Sequence, residues 1–229
     1  MASTLPGLVL QHGPAGPPGV LAAWLADRGL PHEVHAAWRD PLPGDPSAYG
    51  WIASLGSQHS AIATEPAWVA REVALLRGAA AAGVPVLGLC FGGQALAVAL
   101  GGDVELAAAP EVGWLAVQTH APDVVPPGPW LQFHWEVFRP PPGARELARS
   151  PAGPAAFVHG PHLAVQFHPE ATPEICVDWA EHERERLAPL GLTPEGLREQ
   201  ASRDGAEAAR QAHRLFDAWL ERSGAWNGR

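Results

Sequence analysis

Two places in the chain carry residue types and spacings that could do chemistry. Cys90 stands between Gly88 and Gly92 in Val84-Pro-Val-Leu-Gly-Leu-Cys-Phe-Gly-Gly-Gln94, which reads as a buried strand running into a tight turn with a helix behind. Small residues flanking the apex leave room for a sharp strand-to-helix turn. The apex side chain then projects from the carboxyl end of the strand. There, free N–H groups and the helix dipole lower a thiol's pKa. A lone cysteine in an apolar run is more often core packing, and the glycines on both sides count against that. The second place is His168-Pro169-Glu170, at the end of the apolar run Leu163-Ala-Val-Gln-Phe167. A thiolate nucleophile needs a base to hold its proton and later protonate the leaving amine, and His168 is the candidate. The imidazole in turn needs an orienting acceptor. If the strand continues through 168, positions 168 and 170 point to the same side, and the Glu170 carboxylate reaches the ring.

The elements that must position these groups follow from pattern. Strands are expected at Leu8–Gln11, His32–Trp38, Trp51–Leu55 and 84–89, and helices at Val20–Asp27, Pro66–Gly78 and Gln94–Leu100. Gly29 is placed to cap the first helix, and Pro66 suits the start of the second. Such alternation implies a mostly parallel central sheet flanked by helices, an α/β fold. Ligands bind such sheets outside the carboxyl ends of the strands, where the loops at 12–19 and 56–60 would join the turn at 88–93. The second half changes character. Short strand-like pieces at 104–106, 113–118, 130–134, 155–159 and 163–167 form an antiparallel region, with the last two as a hairpin. From Pro173 the pattern is helical, ending in an amphipathic stretch, Ala206–Leu220.

Composition narrows the function classes. The 229 residues can bury a substantial core and are read as one domain, with a motif-bearing core at about 1–170 and a helical extension at about 171–229. A net charge of −9 argues against nucleic acid as partner. The chain holds fifteen arginines and no lysine, which excludes a Schiff-base lysine and a P-loop lysine, and no cofactor is expected. Two cysteines, Cys90 and Cys176, give neither a disulfide framework nor paired-cysteine metal spacing. No basic segment followed by a long apolar run opens the sequence, and no stretch is long enough to span a bilayer. A cytoplasmic protein without membrane attachment is the expectation.

Taken together, Gly88-Leu-Cys-Phe-Gly-Gly-Gln94 and Val165-Gln-Phe-His-Pro-Glu170 resemble the two signatures of the class I glutamine amidotransferases. Ser54-Leu-Gly-Ser57 is similar to the loop completing that family's oxyanion hole, and Glu111-Val-Gly-Trp114 and Phe133-His-Trp-Glu136 are weaker matches in the same order. The likeness spans about the first 170 residues, and the nearest pattern is a stand-alone protein similar to the amidotransferase domain of GMP synthase. The resemblance implies a flavodoxin-like fold, a triad of Cys90, His168 and Glu170, and Gln94 as a residue that holds the substrate amide. Gln94 could equally be an ordinary helix residue on spacing alone. His134 and Glu136 are further substrate-pocket candidates, although relatives often carry Asp where Glu136 stands. Trp135 is read as structural. Attack on a carboxamide develops an oxyanion, for which the Phe91 N–H and a second N–H from Gly56 or Ser57 are the natural donors.

Several features have plainer explanations. A metal site built from His134/Glu136 and His168/Glu170 is disfavoured, because no C-x-x-C accompanies either pair. His12, His59, His159 and His162 are read as loop or turn histidines, Cys176 and the tryptophans as core, and the 181–186 charge run as a solvated helix face. Three functions remain. One is hydrolysis of the γ-carboxamide of glutamine through a cysteinyl thioester with release of ammonia, with a separate synthase chain as possible partner. The second is hydrolysis of a γ-glutamyl peptide or γ-glutamyl amine by the same triad. The third is a catalytically silent binding subunit, although no triad member is missing.

Overall fold

The computed structural model describes residues 5–225; Met1–Thr4, the start of the stretch read for a leader, lie outside the described residues. Short apolar runs buried on both faces become strands, and longer runs with helical spacing become helices. The chain runs β1 (Gly7–Gln11), α1 (Gly19–Asp27), β2 (His32–Ala36), β3 (Trp51–Ser54), α2 (Trp68–Ala81), β4 (Val86–Leu89) and α3 (Phe91–Ala99). It continues with β5 (Asp103–Leu115), β6 (Gln118–Thr119), β7 (Trp130–Arg139), β8 (Arg145–Ser150), β9 (Gly153–His159) and β10 (His162–Val165). Helices α4 (Pro173–His182), α5 (Arg184–Leu187) and α6 (Pro194–Ser223) follow.

Eight strands form one sheet in the order β2-β1-β3-β4-β10-β9-β8-β6, and β5 pairs with β7 in a separate two-stranded sheet. Strands β2, β1, β3, β4 and β10 are mutually parallel; β9, β8 and β6 complete the sheet antiparallel. The expected hairpin is present, with His162 opposite His159. One face of the sheet packs on α1 and the carboxyl half of α6, through Leu21, Trp24, Phe216 and Trp219. The other packs on α2 and α3, through Val69, Leu76, Phe91 and Leu96. A third cluster joins β5 and β7 to α4 and the amino half of α6. Thus α6 contributes to two cores and is no loosely appended tail. Among the described residues no helix is long and apolar enough to cross a membrane.

Several boundaries differ from the pattern. Helix α2 starts at Trp68, two residues beyond Pro66, and runs past Gly78 because Ala79 is still buried. Helix α3 starts directly after Cys90 instead of at Gln94, since the Gln94 N–H already bonds the Cys90 carbonyl at 2.9 Å. The pieces at 104–106 and 113–118 are largely one strand, β5, with a register shift between Leu106 and Glu111 that interrupts its alternation. Strand β8 carries four exposed or half-exposed residues and two buried ones, Leu147 and Ala148, too weak an apolar signal to read. Strand β10 stops at Val165, short of His168.

Candidate active site

Strands β1, β3, β4 and β10 are neighbours, so the loops at their carboxyl ends meet. They line a chamber of about 630 Å³ that includes His12, Gly56, Ser57, Cys90 and His168, as the parallel topology requires.

Cys90 sits between β4 and α3 at φ 51° and ψ −107°, the one described non-glycine residue at positive φ. Such a backbone costs about 1–3 kcal/mol and persists only when its surroundings over-determine it. Here the Cys90 N–H bonds the Val165 carbonyl at 2.9 Å, tying the turn to β10. Gly92 allows the turn to lie against β3: a Cβ there would stand 2.0 Å from the Ser54 carbonyl oxygen, and its N–H bonds the Leu55 carbonyl at 3.0 Å.

Residues 166–170 form a bend and turn, with the Ala171 N–H on the His168 carbonyl at 3.2 Å. The same-side geometry of a continued strand therefore does not apply. The turn nevertheless sets His168 Nδ1 2.7 Å from Glu170 Oε1, both side chains nearly fully buried. The backbone holds it from two sides: the His168 N–H bonds the Leu131 carbonyl, and the Val20 N–H at the start of α1 bonds the Glu170 carbonyl, each at 2.9 Å. With Nδ1 engaged, Nε2 is the ring nitrogen left for Cys90, with which the imidazole interacts. Burial by itself lowers the His168 pKa, but the negative charges of Cys90 and Glu170 outweigh it and raise it to about 10. The arrangement favours an imidazolium beside Cys90 at neutral pH. Gly56 lies directly under the ring, where a Cβ would stand 2.6 Å from His168 Cε1. The N–H groups of Gly56, Ser57 and Phe91 have no protein acceptor among the described residues.

The remaining candidates also reach the chamber. Gln94, His134 and Glu136 all line it, but the Gln94 Nε2 is committed to the Glu136 backbone carbonyl at 3.1 Å. His134 Nε2 stands 3.0 Å from Gln132 Oε1 and 3.3 Å from the Glu111 carboxylate. Among the described residues no group of three or more His, Cys, Asp and Glu is placed to hold a metal ion.

Several readings of the plainer kind are corrected. Trp135, read as structural, lines the chamber with Arg186 stacked over its ring at 3.7 Å. Trp179 lines it too and meets the His168 ring edge-on at 4.7 Å, so the tryptophans are not only core. His182, Glu183 and Arg186 face the chamber, so the 181–186 run is more than a solvated face. His12 and His59 also line it. His162 is buried, with Nδ1 accepting from the Val86 N–H at 3.2 Å. Cys176 is core, as read. Gln166 was overlooked: its Nε2 donates to Cys90 Sγ at 3.6 Å, while its Oε1 accepts from the Phe138 N–H at 3.2 Å. Its place two residues before His168 was the available signal.

Comparison with known proteins follows this geometry. Residues 62–175 match the family described as "Glutamine amidotransferase class-I". A GMP synthase of Aeropyrum pernix is 38% identical over 96 residues, covering 38% of this chain and 19% of that protein. The chain thus spans about a fifth of the length of the curated relatives it matches. A glutamine amidotransferase structure from Methylobacillus flagellatus superposes with a TM-score of 0.85 at 29% identity, over 96% of this chain and 95% of that one. One from Thermotoga maritima, 22% identical, reaches 0.85 over 96% and 99% and supports the fold alone. With the matched region running from the loop before α2 through the His168–Glu170 turn, and the whole fold shared, the chain carries a class I glutamine amidotransferase domain match.

Proposed function

We propose that the protein hydrolyses the γ-carboxamide of glutamine, with Cys90 as nucleophile, His168 as acid and base, and Glu170 as its orienting carboxylate. The observation that carries this is the buried His168–Glu170 pair at 2.7 Å facing a cysteine on a strained turn. The Cys90 thiolate attacks the amide carbon. The oxyanion is received by the Phe91 N–H and by that of Ser57 or Gly56. His168 gives its proton to the departing nitrogen, releasing ammonia and leaving a cysteinyl thioester. Water then loses a proton to His168 and attacks the thioester, giving glutamate and the free thiol. Gln166 stabilises the thiolate through its Nε2–H, and Gln94, His134 and Glu136 bound the substrate.

The chamber volume favours a second substrate class for the same chemistry. At about 630 Å³ it lies well within the range that holds a drug-sized ligand. Its outer wall of Trp135, Trp179, Glu183 and Arg186 leaves room for a γ-glutamyl amide whose nitrogen carries a substituent. In the glutamine reading the ammonia passes to a synthase. The sequence holds no S-G-G-x-D-S nucleotide loop, so that synthase is a separate unit. The test is glutamate release from glutamine beside a panel of γ-glutamyl peptides and amines, for wild type and Cys90→Ala. Cys90→Ala is expected to lose at least about 10³-fold in rate; full activity in that variant sinks the mechanism, and strong preference for a substituted amide replaces glutamine with that class.

A further inference from the structure

The outer end of the chamber carries a cation that the fold holds in one orientation. Arg186, the one arginine lining the chamber, lays its guanidinium over the Trp135 ring at 3.7 Å. Stacking on an aromatic face fixes the plane of the guanidinium and leaves its N–H edges free. Glu183 takes one corner, accepting from Nη1 at 3.1 Å. Nε and Nη2 have no protein acceptor among the described residues. These two nitrogens form one edge of the guanidinium, and their parallel N–H bonds match the two oxygens of a carboxylate. Glu183 offsets part of the positive charge, but its hold also keeps that edge from swinging away.

A line of ring contacts relates this cation to the chemistry. His168 meets Trp179 at 4.7 Å, Trp179 meets Phe133 at 5.7 Å, and Phe133 meets Trp135, under Arg186, at 5.8 Å. Trp179 is held in that line by its Nε1, which donates to the Ala15 carbonyl of the loop after β1 at 2.7 Å. The amide nitrogen that departs is the one that receives the His168 proton, so a substituent on it extends from the His168 side. The wall that such a substituent meets is the aromatic line, ending at Arg186. Ammonia carries no substituent and uses none of it. The acyl half has other neighbours: alternate residues of β7 face opposite sides, and His134 turns from Phe133 and Trp135 toward Gln132 and Glu111.

We propose that Arg186, stacked on Trp135, is a subsite for a carboxylate on the leaving amine, so that the substrates are γ-glutamyl amino acids. This rests on the amidohydrolase chemistry above and narrows its second substrate class. Cys90 forms the thioester as the C–N bond breaks, the nitrogen takes the His168 proton, and a free amino acid leaves in place of ammonia. Water then cleaves the thioester to glutamate and the free thiol.

Two matched substrates test it on the whole protein. γ-Glutamylglycine and γ-glutamylglycinamide differ only in a carboxylate replaced by a carboxamide of similar shape, and glutamate release is followed for each. Wild type is expected to favour γ-glutamylglycine in kcat/KM by at least about 10-fold, the selectivity that hydrogen bonds to a charged group supply. Arg186→Gln is expected to bring that ratio to about one. Arg186→Lys, which keeps the charge without the planar edge, is expected to fall between. The Arg186 side chain is half-exposed, and iodoacetamide labelling of Cys90 at the wild-type rate checks the fold of each variant. A wild-type ratio near one overturns the proposal without any variant. So does a ratio unchanged in Arg186→Gln, the result expected if Arg186 held the glutamyl carboxylate, since both substrates would then lose equally. Hydrolysis of glutamine without the preference removes this inference alone; hydrolysis of neither glutamine nor either γ-glutamyl amide removes the underlying chemistry with it.

Discussion

At Cys90, the proposed nucleophile and the strained backbone are one residue. Positive φ is a cost that a side chain pays and glycine does not. Cys90→Gly is therefore expected to be more stable than Cys90→Ala by about 1 kcal/mol, both being inactive, as read by urea denaturation; equal stabilities would mean that the turn is unstrained. The neighbouring charge sets His168. Its folded pKa of about 10 lies above its ordinary value, so its contribution to stability is complete below about pH 6.5 and is lost as pH rises through 10. Removing Cys90 removes one of the two groups that raise it. The His168 NMR titration midpoint is expected to move downward in Cys90→Ala, and an unchanged midpoint would exclude a close Cys90–His168 pair.

Among the elements, the contact between the β4–α3 turn and β3 decides whether the proposed nucleophile and the proposed donor loop share one site. Gly92 lies against the backbone of Ser54, which cannot move without breaking the sheet. Gly92→Ala is expected to cost about 1–3 kcal/mol or more in denaturant melts and to lower turnover with it. Gly13→Ala, with nothing within 4 Å of the added carbon, should stay within about 0.5 kcal/mol of wild type. Helix α4 makes a different contribution. It carries Trp179 onto the edge of His168 and is followed by α5, which brings Arg186 onto Trp135. The outer chamber is thereby built from helices beyond the motif-bearing part of the chain.

For the whole molecule, the sheet transmits pH into stability through a histidine remote from the chemistry. His162, buried in β10, accepts the Val86 N–H of β4. Burial first, and then the neighbouring His159, lower its pKa to about 4. Between pH 6.5 and 4 the unfolded chain binds this proton and the folded one does not, so stability falls as pH falls through that window. His162→Gln, which can still offer an acceptor, is expected to flatten the decline of Tm between pH 6.5 and 4.5; an identical decline would place the acid sensitivity elsewhere. Helix α6, contributing Leu197 and Ala201 to one core and Phe216 and Trp219 to another, makes the fold continuous with what the motifs alone would call an extension.

Local chemistry made the central residues legible without a structure. Cys90 announces itself because a tight turn tolerates only small neighbours, and His168 and Glu170 because they are two residues apart and need only a turn to meet. The apolar runs that become β1, β3 and β4 are short and continuous, which is how strands buried on both faces read. What lay beyond reach is set by packing between elements. His12 and Glu72, whose buried side chains meet at 2.7 Å, are 60 residues apart, and nothing in either neighbourhood marks the partner. Arg186 looked like part of a solvated run because its ring contact comes from a strand 51 residues earlier. The ends of α2, α3 and β10 moved because burial and hydrogen bonding, not local preference, decide where an element stops. The sequence by itself determined the candidate reactive groups and the sheet edge that presents them. The tertiary structure decided which distant residues hold that edge in place and how large a chamber it opens on, because side chains far apart in the chain meet only when the sheet and its helices have packed.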